Sequence, residues 1–310
     1  MIEGFRRRSK RHSLLGLAAF TACAAAVAGA ASLAQADPPP ALFAGGTNGI
    51  VFAHGAHGNP HGGRSAQLVY HFGSVMGSGA AVKSIFWGSS WGTYTGDKIT
   101  GIDSFYTGVG STAYARTTTE YTDSSGHVSS TVTSGGHVVD TSAAPSGAPS
   151  TSQVLAIVAR DIGTSAVANG YYPVYSDRGR GNAGYCAWHS WGLVNGVLVQ
   201  FAFFFNLDGD PGCDPGGSSG GHSQGLAAIG NVSGHELSEA LTDPHGDAWY
   251  DNSGAENADK CAWTFGGRLV AFSNGSQWKI QGNWSNNAYT YGGSYRGSGS
   301  GCVDGNPVAG

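Results

Sequence analysis

Apolar residues along this chain fall in short blocks separated by glycine, serine and threonine, and the spacing within the blocks changes along the sequence. Leu68–Phe72 and Val82–Trp87 have strand composition and are joined by a Gly-rich turn, so the folded region is expected to begin near Gln67. Asp97–Tyr106 predicts a helix, and Tyr114–Tyr121 reads either way. Residues 122–150 are dominated by Ser, Thr, Gly, Asp and Val, with alternation at His127–Val132 and His137–Val139, and read as exposed hairpins or an insertion. Ser152–Ile162 carries helical spacing through Val154, Leu155, Val158 and Ile162. Tyr171–Tyr175 and the long apolar run Val194–Phe205 predict core strands, with the Gly-rich segment around Cys186–His189 between them. Gly225–Leu241 predicts a buried helix stopped by Thr242-Asp243-Pro244, and Trp278–Ile280 belongs to a region of short strands and loops. Strands alternating with helices imply an α/β or α+β fold, one domain over residues 66–310 with a central mixed sheet and a buried helix.

The ends of the chain read differently. Residues 1–36 have the layout of a cleavable secretory signal: a basic opening (Arg6, Arg7, Arg8, Lys10, Arg11), an alanine-rich apolar stretch from Leu14 to Leu33, and Ala34-Gln35-Ala36 before Asp37. Cleavage is expected after Ala36, by Sec or Tat export, leaving no stable membrane span and a secreted, periplasmic or extracellular protein. Residues 37–65 are rich in Gly, Pro, Ala and His and read as a linker or loosely held arm, in which His54, His57 and His61 are solvated.

Removing the signal sharpens the charge. The full chain has 16 basic and 20 acidic residues; residues 1–36 hold five of the basic ones and Glu3, so 11 and 19 remain, a net of −8. No basic patch is left to grip nucleic acid. Four cysteines stay with the mature chain, and in an exported protein they are expected to form two disulfides. Of the three connectivities, Cys186–Cys213 and Cys261–Cys302 is favoured, each closing a modest loop at one end of a predicted strand pair.

Candidate chemistry lies in the predicted buried helix, at His235-Glu236-Leu237-Ser238-Glu239. Positions i and i+4 share a helix face, so His235 and Glu239 can hold one metal, with Glu236 close enough to act as general base on a metal-bound water. This is the geometry of a zincin helix with a glutamate in place of the second histidine. Zn2+ is the expected cofactor, although one imidazole with carboxylates tilts the site towards harder metals. Three residues compete to be the third ligand. Glu256 ranks first, 17 residues after Glu239, with Asp259 one turn on as a supporting carboxylate; His245 and Asp243 follow. The bland alternative places Glu236 and Glu239 on a solvent face. His71, His189 and His222 are further histidines in predicted folded segments, and Trp249 and Tyr250 are expected to pack beside the helix.

Several segments resemble the phosphate-induced protein 1 (EXORDIUM-like) family. They are Leu68–Met76 followed by Ser84–Gly88, Tyr171–Asp177 leading into Gly184-Tyr185-Cys186, and, like its bacterial branch, His235–Pro244 continuing to Trp249-Tyr250-Asp251 and Glu256–Cys261. Plant members are secreted, cell-wall-associated proteins linked to growth, so the resemblance implies extracellular or cell-wall work without a defined chemistry. Two functions are expected from these readings: a metal-dependent peptidase or amidase acting on extracellular peptide or cell-wall material, or a non-catalytic binding protein on the same scaffold. A glycosidase using Glu236 and Glu239 is disfavoured, because carboxylates three residues apart on one helix do not face each other across a sugar ring.

Overall fold

A computed structural model describes residues 44–56, 67–295 and 300–307; the signal segment, His57 and His61 lie outside them. Six strands form the main sheet: β1 (Asn48–Phe52), β2 (Ala80–Trp87), β3 (Val132–Asp140), β4 (Gly170–Gly179), β5 (Tyr185–Val194) and β6 (Val197–Asn206). Their spatial order is β1-β5-β6-β4-β2-β3. The four strands β6, β4, β2 and β3 run parallel, while β5 and then β1 are added antiparallel at one end. The sheet is mixed and the described domain is α+β, as the alternation of elements predicts.

Helix α1 (Lys98–Val109) leads from β2 to β3, α2 (Thr151–Ile162) from β3 to β4, and α3 (Gln224–Thr242) follows β6; a short α4 (Asn286–Tyr291) lies near the carboxyl end. Both faces of the sheet are covered, since Tyr171–Ser176 and Val199–Phe205 are buried at every successive position. Helix α2 opens on a capping box in which Ser150 and Gln153 bond each other's backbone N–H.

Two segments depart from the expectation. The apolar run Val194–Phe205 is not one strand. It contains the turn of a hairpin, and Cys186–His189 lies within β5, not in a Gly-rich connection. Asn195 and Gly196 make that turn with φ of 49° and 79°, the left-handed pair that a two-residue hairpin turn requires; the Asn-Gly dipeptide carried this signal inside the hydrophobic run. Residues 132–140, expected to belong to exposed hairpins or an insertion, are the edge strand β3, paired in parallel with β2. Only Thr122-Asp123 and Gly126-His127 form a small hairpin there. Its polar composition fits an edge position, where one side of the strand is wet.

The most buried element is α3: every residue from Gly225 to Thr242 is inaccessible to solvent or nearly so. Ser223 caps its start by accepting from Leu226 N–H, and Pro244 prevents its continuation past Asp243. Two glycines let the segment ahead of α4 press onto the helix backbone. A Cβ at Gly230 would lie 2.7 Å from Trp278 ring carbons, and one at Gly234 would lie 2.9 Å from Ile280 and from the Tyr114 hydroxyl. That contact brings the 278–281 segment down on α3. Gly230→Val is therefore expected to destabilise the protein by about 1–3 kcal/mol through overpacking, whereas in an exposed helix replacing glycine would stabilise. Urea denaturation of the two proteins measures the difference.

Candidate functional site

The helix stop at Asp243 and the loop that follows it build one wall of the site. Asp243 Oδ1 accepts from Asp247 and Ala248 N–H, both at 2.7 Å, and turns the chain back. Asp251 then organises the next turn, accepting from Ser253 N–H, the Ser253 hydroxyl and Ala255 N–H, while its second oxygen takes the buried Lys260 ammonium at 2.8 Å. The Lys260 cation also lies over the Trp284 ring. Cys261–Cys302 anchors the end of this loop, and Cys186–Cys213 ties β5 to the segment after β6; both are the favoured pairs. The result is that Glu256 and Asp259 are held against α3.

His235 and Glu239 sit one turn apart and point the same way. His235 Nε2 is 3.0 Å from Glu239 Oε2 and 3.5 Å from Asp259 Oδ1, and neither contact has hydrogen-bond geometry. The other Glu239 oxygen accepts from Asp259 N–H at 2.8 Å, and Asp259 Oδ2 accepts from Glu256 N–H. These side chains form one buried group with metal-ligand spacing, His235, Glu239 and Asp259. A second group shares Glu239 and adds Glu236 and His189. Both Glu236 oxygens and Glu239 Oε2 lack a hydrogen-bond partner, as does His189 Nδ1. All of these side chains are buried, with His189, His235, Glu236 and Glu239 at 0 % exposure, so the solvent-face alternative for the two glutamates is excluded.

The structure places the three third-ligand candidates and Asp259 differently around His235. Asp259, expected in a supporting role, is the carboxylate grouped with His235 and Glu239. Glu256 instead pairs with His189, Oε2 to Nε2 at 3.3 Å, and its other oxygen accepts from Gly49 N–H. His245 is directed elsewhere: its ring meets Gln200 Nε2 and the edge of Trp191. Asp243 is occupied at one oxygen by the backbone turn. His71 stacks on Tyr250, and His222 stacks on Trp278. Trp249 donates to Thr122 O and pairs, with Tyr250, against Val69-Tyr70. Of the three further histidines, His189 is the one that β5 brings to the site; the residue missed from the sequence is Gly49. Within the segment read as a loose arm, Asn48–Phe52 form strand β1, and just beyond it the exposed His54 ring packs tilted against Trp263, with centroids 4.0 Å apart. The strand's Ile50-Val51-Phe52 run has strand composition, but its pairing partner lies about 140 residues away in β5, which no local pattern shows.

Electrostatics follow from burial. Glu236 and Glu256 are held well above the usual carboxylate range, first by loss of solvation; neighbouring carboxylates add to this, while the charge of His235 pulls Glu236 back. Glu239 is also raised by burial and by Asp259, and Asp243 is pushed up to about 7 by burial. Burial alone would lower His235, but Glu239, Asp259 and Glu236 override it and raise it well above the ordinary imidazole value. His189 is desolvated and falls to about 4. Comparison of the chain with family models, with curated proteins and with solved structures found no match.

These shifts set a pH dependence for the metal-free protein. A carboxyl with a raised folded pKa contributes stability in its protonated form, and that contribution is lost as pH rises above the unfolded value. A raised His235 acts in the same direction, while His189, lowered to about 4, and His245 and His222, also lowered by burial, oppose below the ordinary imidazole value. Melting temperature in excess chelator is expected to fall from about pH 5 to about pH 8, and a divalent cation added at the upper end is expected to restore it. A melting temperature that climbs over that interval without metal would contradict this account.

Proposed function

We propose that this chain is a secreted, zincin-like metalloprotein whose buried centre holds a divalent metal through His235, Glu239 and Asp259 and serves peptide or amide hydrolysis. The observation that carries the reading is the facing set of His235 Nε2, Glu239 Oε2 and Asp259 Oδ1, at separations that suit a small cation and without competing hydrogen bonds at the first two atoms. Unpaired buried carboxylates are costly, and Lys260, the cation nearest to them in the chain, is committed to Asp251. Imidazole with two carboxylates accepts zinc and also suits harder divalent ions. Bound there, such an ion would polarise a carbonyl and acidify a water.

The chain's own residues would do the rest. Glu236, with both oxygens free of hydrogen bonds and a raised pKa, would accept a proton from the attacking water and pass it to the leaving nitrogen. His189 would stand on the opposite wall as a neutral imidazole. Gln281 would orient His235. As placed, its amide nitrogen donates to Nδ1 at 2.8 Å and to Ala258 O, which puts the imidazole proton on Nε2. Metal binding through Nε2 calls for the amide to turn so that its oxygen accepts from Nδ1–H.

The export signal, the two disulfides and the similarity to phosphate-induced protein 1 sequences support an extracellular setting; no helix among the described residues is long and apolar enough to cross a membrane. A non-catalytic binding protein is the second reading, favoured by the complete burial of the centre. Metal analysis separates the outcomes. The purified full-length secreted protein is expected to carry about one divalent ion, lost in His235→Ala and Glu239→Ala. Asp259→Asn is expected to cost more affinity than Glu256→Gln. Glu236→Gln is expected to keep the metal and lower peptide cleavage by about 10²- to 10⁴-fold. A protein without metal after loading would remove the hydrolase reading, and metal without any Glu236-dependent cleavage would leave the binding protein.

A further inference from the structure

The chain itself covers one side of the centre, at Glu239 and His189. Residues 44–53 run antiparallel along the outer edge of β5: Gly45 N–H donates to Trp191 O at 2.7 Å, the Ser190 hydroxyl to Gly46 O at 2.7 Å, and Ala53 N–H to Gly184 O at 2.9 Å. Cα partners are Asn48 with His189, Val51 with Ala187 and Phe52 with Tyr185, with irregular register around Gly49 and Ile50. In that irregular stretch the backbone dips towards the acidic cluster. Gly49 N–H donates to Glu256 Oε1 at 3.1 Å. Gly49 has φ of 43°, and a Cβ there would fall 2.0 Å from Glu239 Oε2 and 2.6 Å from His189 Nε2. No residue with a side chain fits that position, because both neighbours are buried and held by their own elements. Gly49 and Val51 face inward, while Asn48, Ile50 and Phe52 are partly exposed. A cavity of about 310 Å³ opens beside this strand, between Asn48 and Gly49 on one side and Asp243, Glu256 and Asp259 on the other.

We infer that the outer edge of β5 is a binding site for an extended polypeptide, and that residues 44–53 occupy it and keep the centre latent. Main-chain pairing supplies affinity at such an edge, and the inward positions supply selectivity. The occupant seen here defines the ligand class: an extended peptide with glycine over Glu239 and a small apolar residue two positions on. The edge is otherwise a row of unpaired backbone groups, and β1 protects it from pairing with other chains. The inference rests on the metal-centre reading for the chemistry that β1 conceals, and not for the occupancy.

Gly49→Leu in the full chain tests it, with Gly46→Leu as control, since a Cβ at Gly46 has no atom within 4 Å. Amide hydrogen exchange over residues 184–192 is expected to speed up at least about 10-fold in Gly49→Leu and to stay unchanged in Gly46→Leu. A synthetic peptide with the sequence of residues 44–56 is expected to restore protection in Gly49→Leu, and the same peptide carrying leucine for Gly49 to fail. Removal of bound Co2+ by a chelator is expected to accelerate in parallel. Should Gly49→Leu not fold, Gly49→Ala is read in the same way, because its single methyl still meets Glu239. Unchanged exchange at 184–192 in a folded Gly49 variant, or no protection by the peptide, overturns the inference. Absence of metal in every variant would instead strike the hydrolase reading, with exchange and peptide protection still deciding this one.

Discussion

Everything near the centre depends on a cost that burial imposes. Glu236, Glu239, Glu256, Asp259 and Asp243 are brought together out of water with two imidazoles, while Lys260 is tied to Asp251. Carboxylates so placed repel one another and lose their hydration, so the fold must neutralise some of them with protons or with a cation. The geometry favours a cation, since the free oxygens converge with His235 Nε2 instead of diverging to separate hydrogen-bond donors. An apolar helix would pack into the same place at lower cost. The retention of three charged side chains on α3 is therefore the strongest reason to look for chemistry here.

The rest of the molecule holds these groups in place. The glycines of α3 let Trp278 and Ile280 approach its backbone, which positions Gln281 against His235. Asp251 and Lys260 form a buried ion pair with backbone hydrogen bonds on the carboxylate and an aromatic ring under the cation, so the loop carrying Glu256 and Asp259 has little freedom. Cys261–Cys302 fixes the same loop to the carboxyl-terminal segment, and Cys186–Cys213 fixes the strand that carries His189. Both disulfides thus bear on the site, as well as limiting the unfolded chain.

Strand β1 connects the two functional readings. A centre in which His235 and Glu239 are fully buried and Asp259 is 5 % exposed is what a binding scaffold without catalysis would show, and it is also what an enzyme would show while its own amino-terminal segment lies across the site. Because signal cleavage after Ala36 would leave these residues in the mature chain, export by itself would not open the centre. Glycine at position 49 belongs to this arrangement: it is the point at which a main chain can pass between Glu239 and His189 without a side chain in the way.

Much of the architecture was legible before any coordinates. Periodicity located α2 and α3 to within a residue or two, because an apolar stripe or an unbroken apolar helix leaves its spacing in the sequence. The His235–Glu239 face followed from helical geometry alone, and the disulfide pairs from loop lengths. By contrast, the hairpin at Asn195-Gly196 was hidden in a run that is mostly apolar because Val199–Phe205 are buried, and β3 was masked by the polar composition that an edge strand tolerates. The choice of Asp259 over Glu256 beside His235, the arrival of His189 and the seating of Gly49 lay beyond any local pattern. The sequence by itself determined which helix would carry the charged groups and which face they would share, since both are set by a 3.6-residue period within one segment. Tertiary structure alone decided which distant groups meet them, since those partners come from β1, β5 and a loop whose approach is set by long-range pairing and packing.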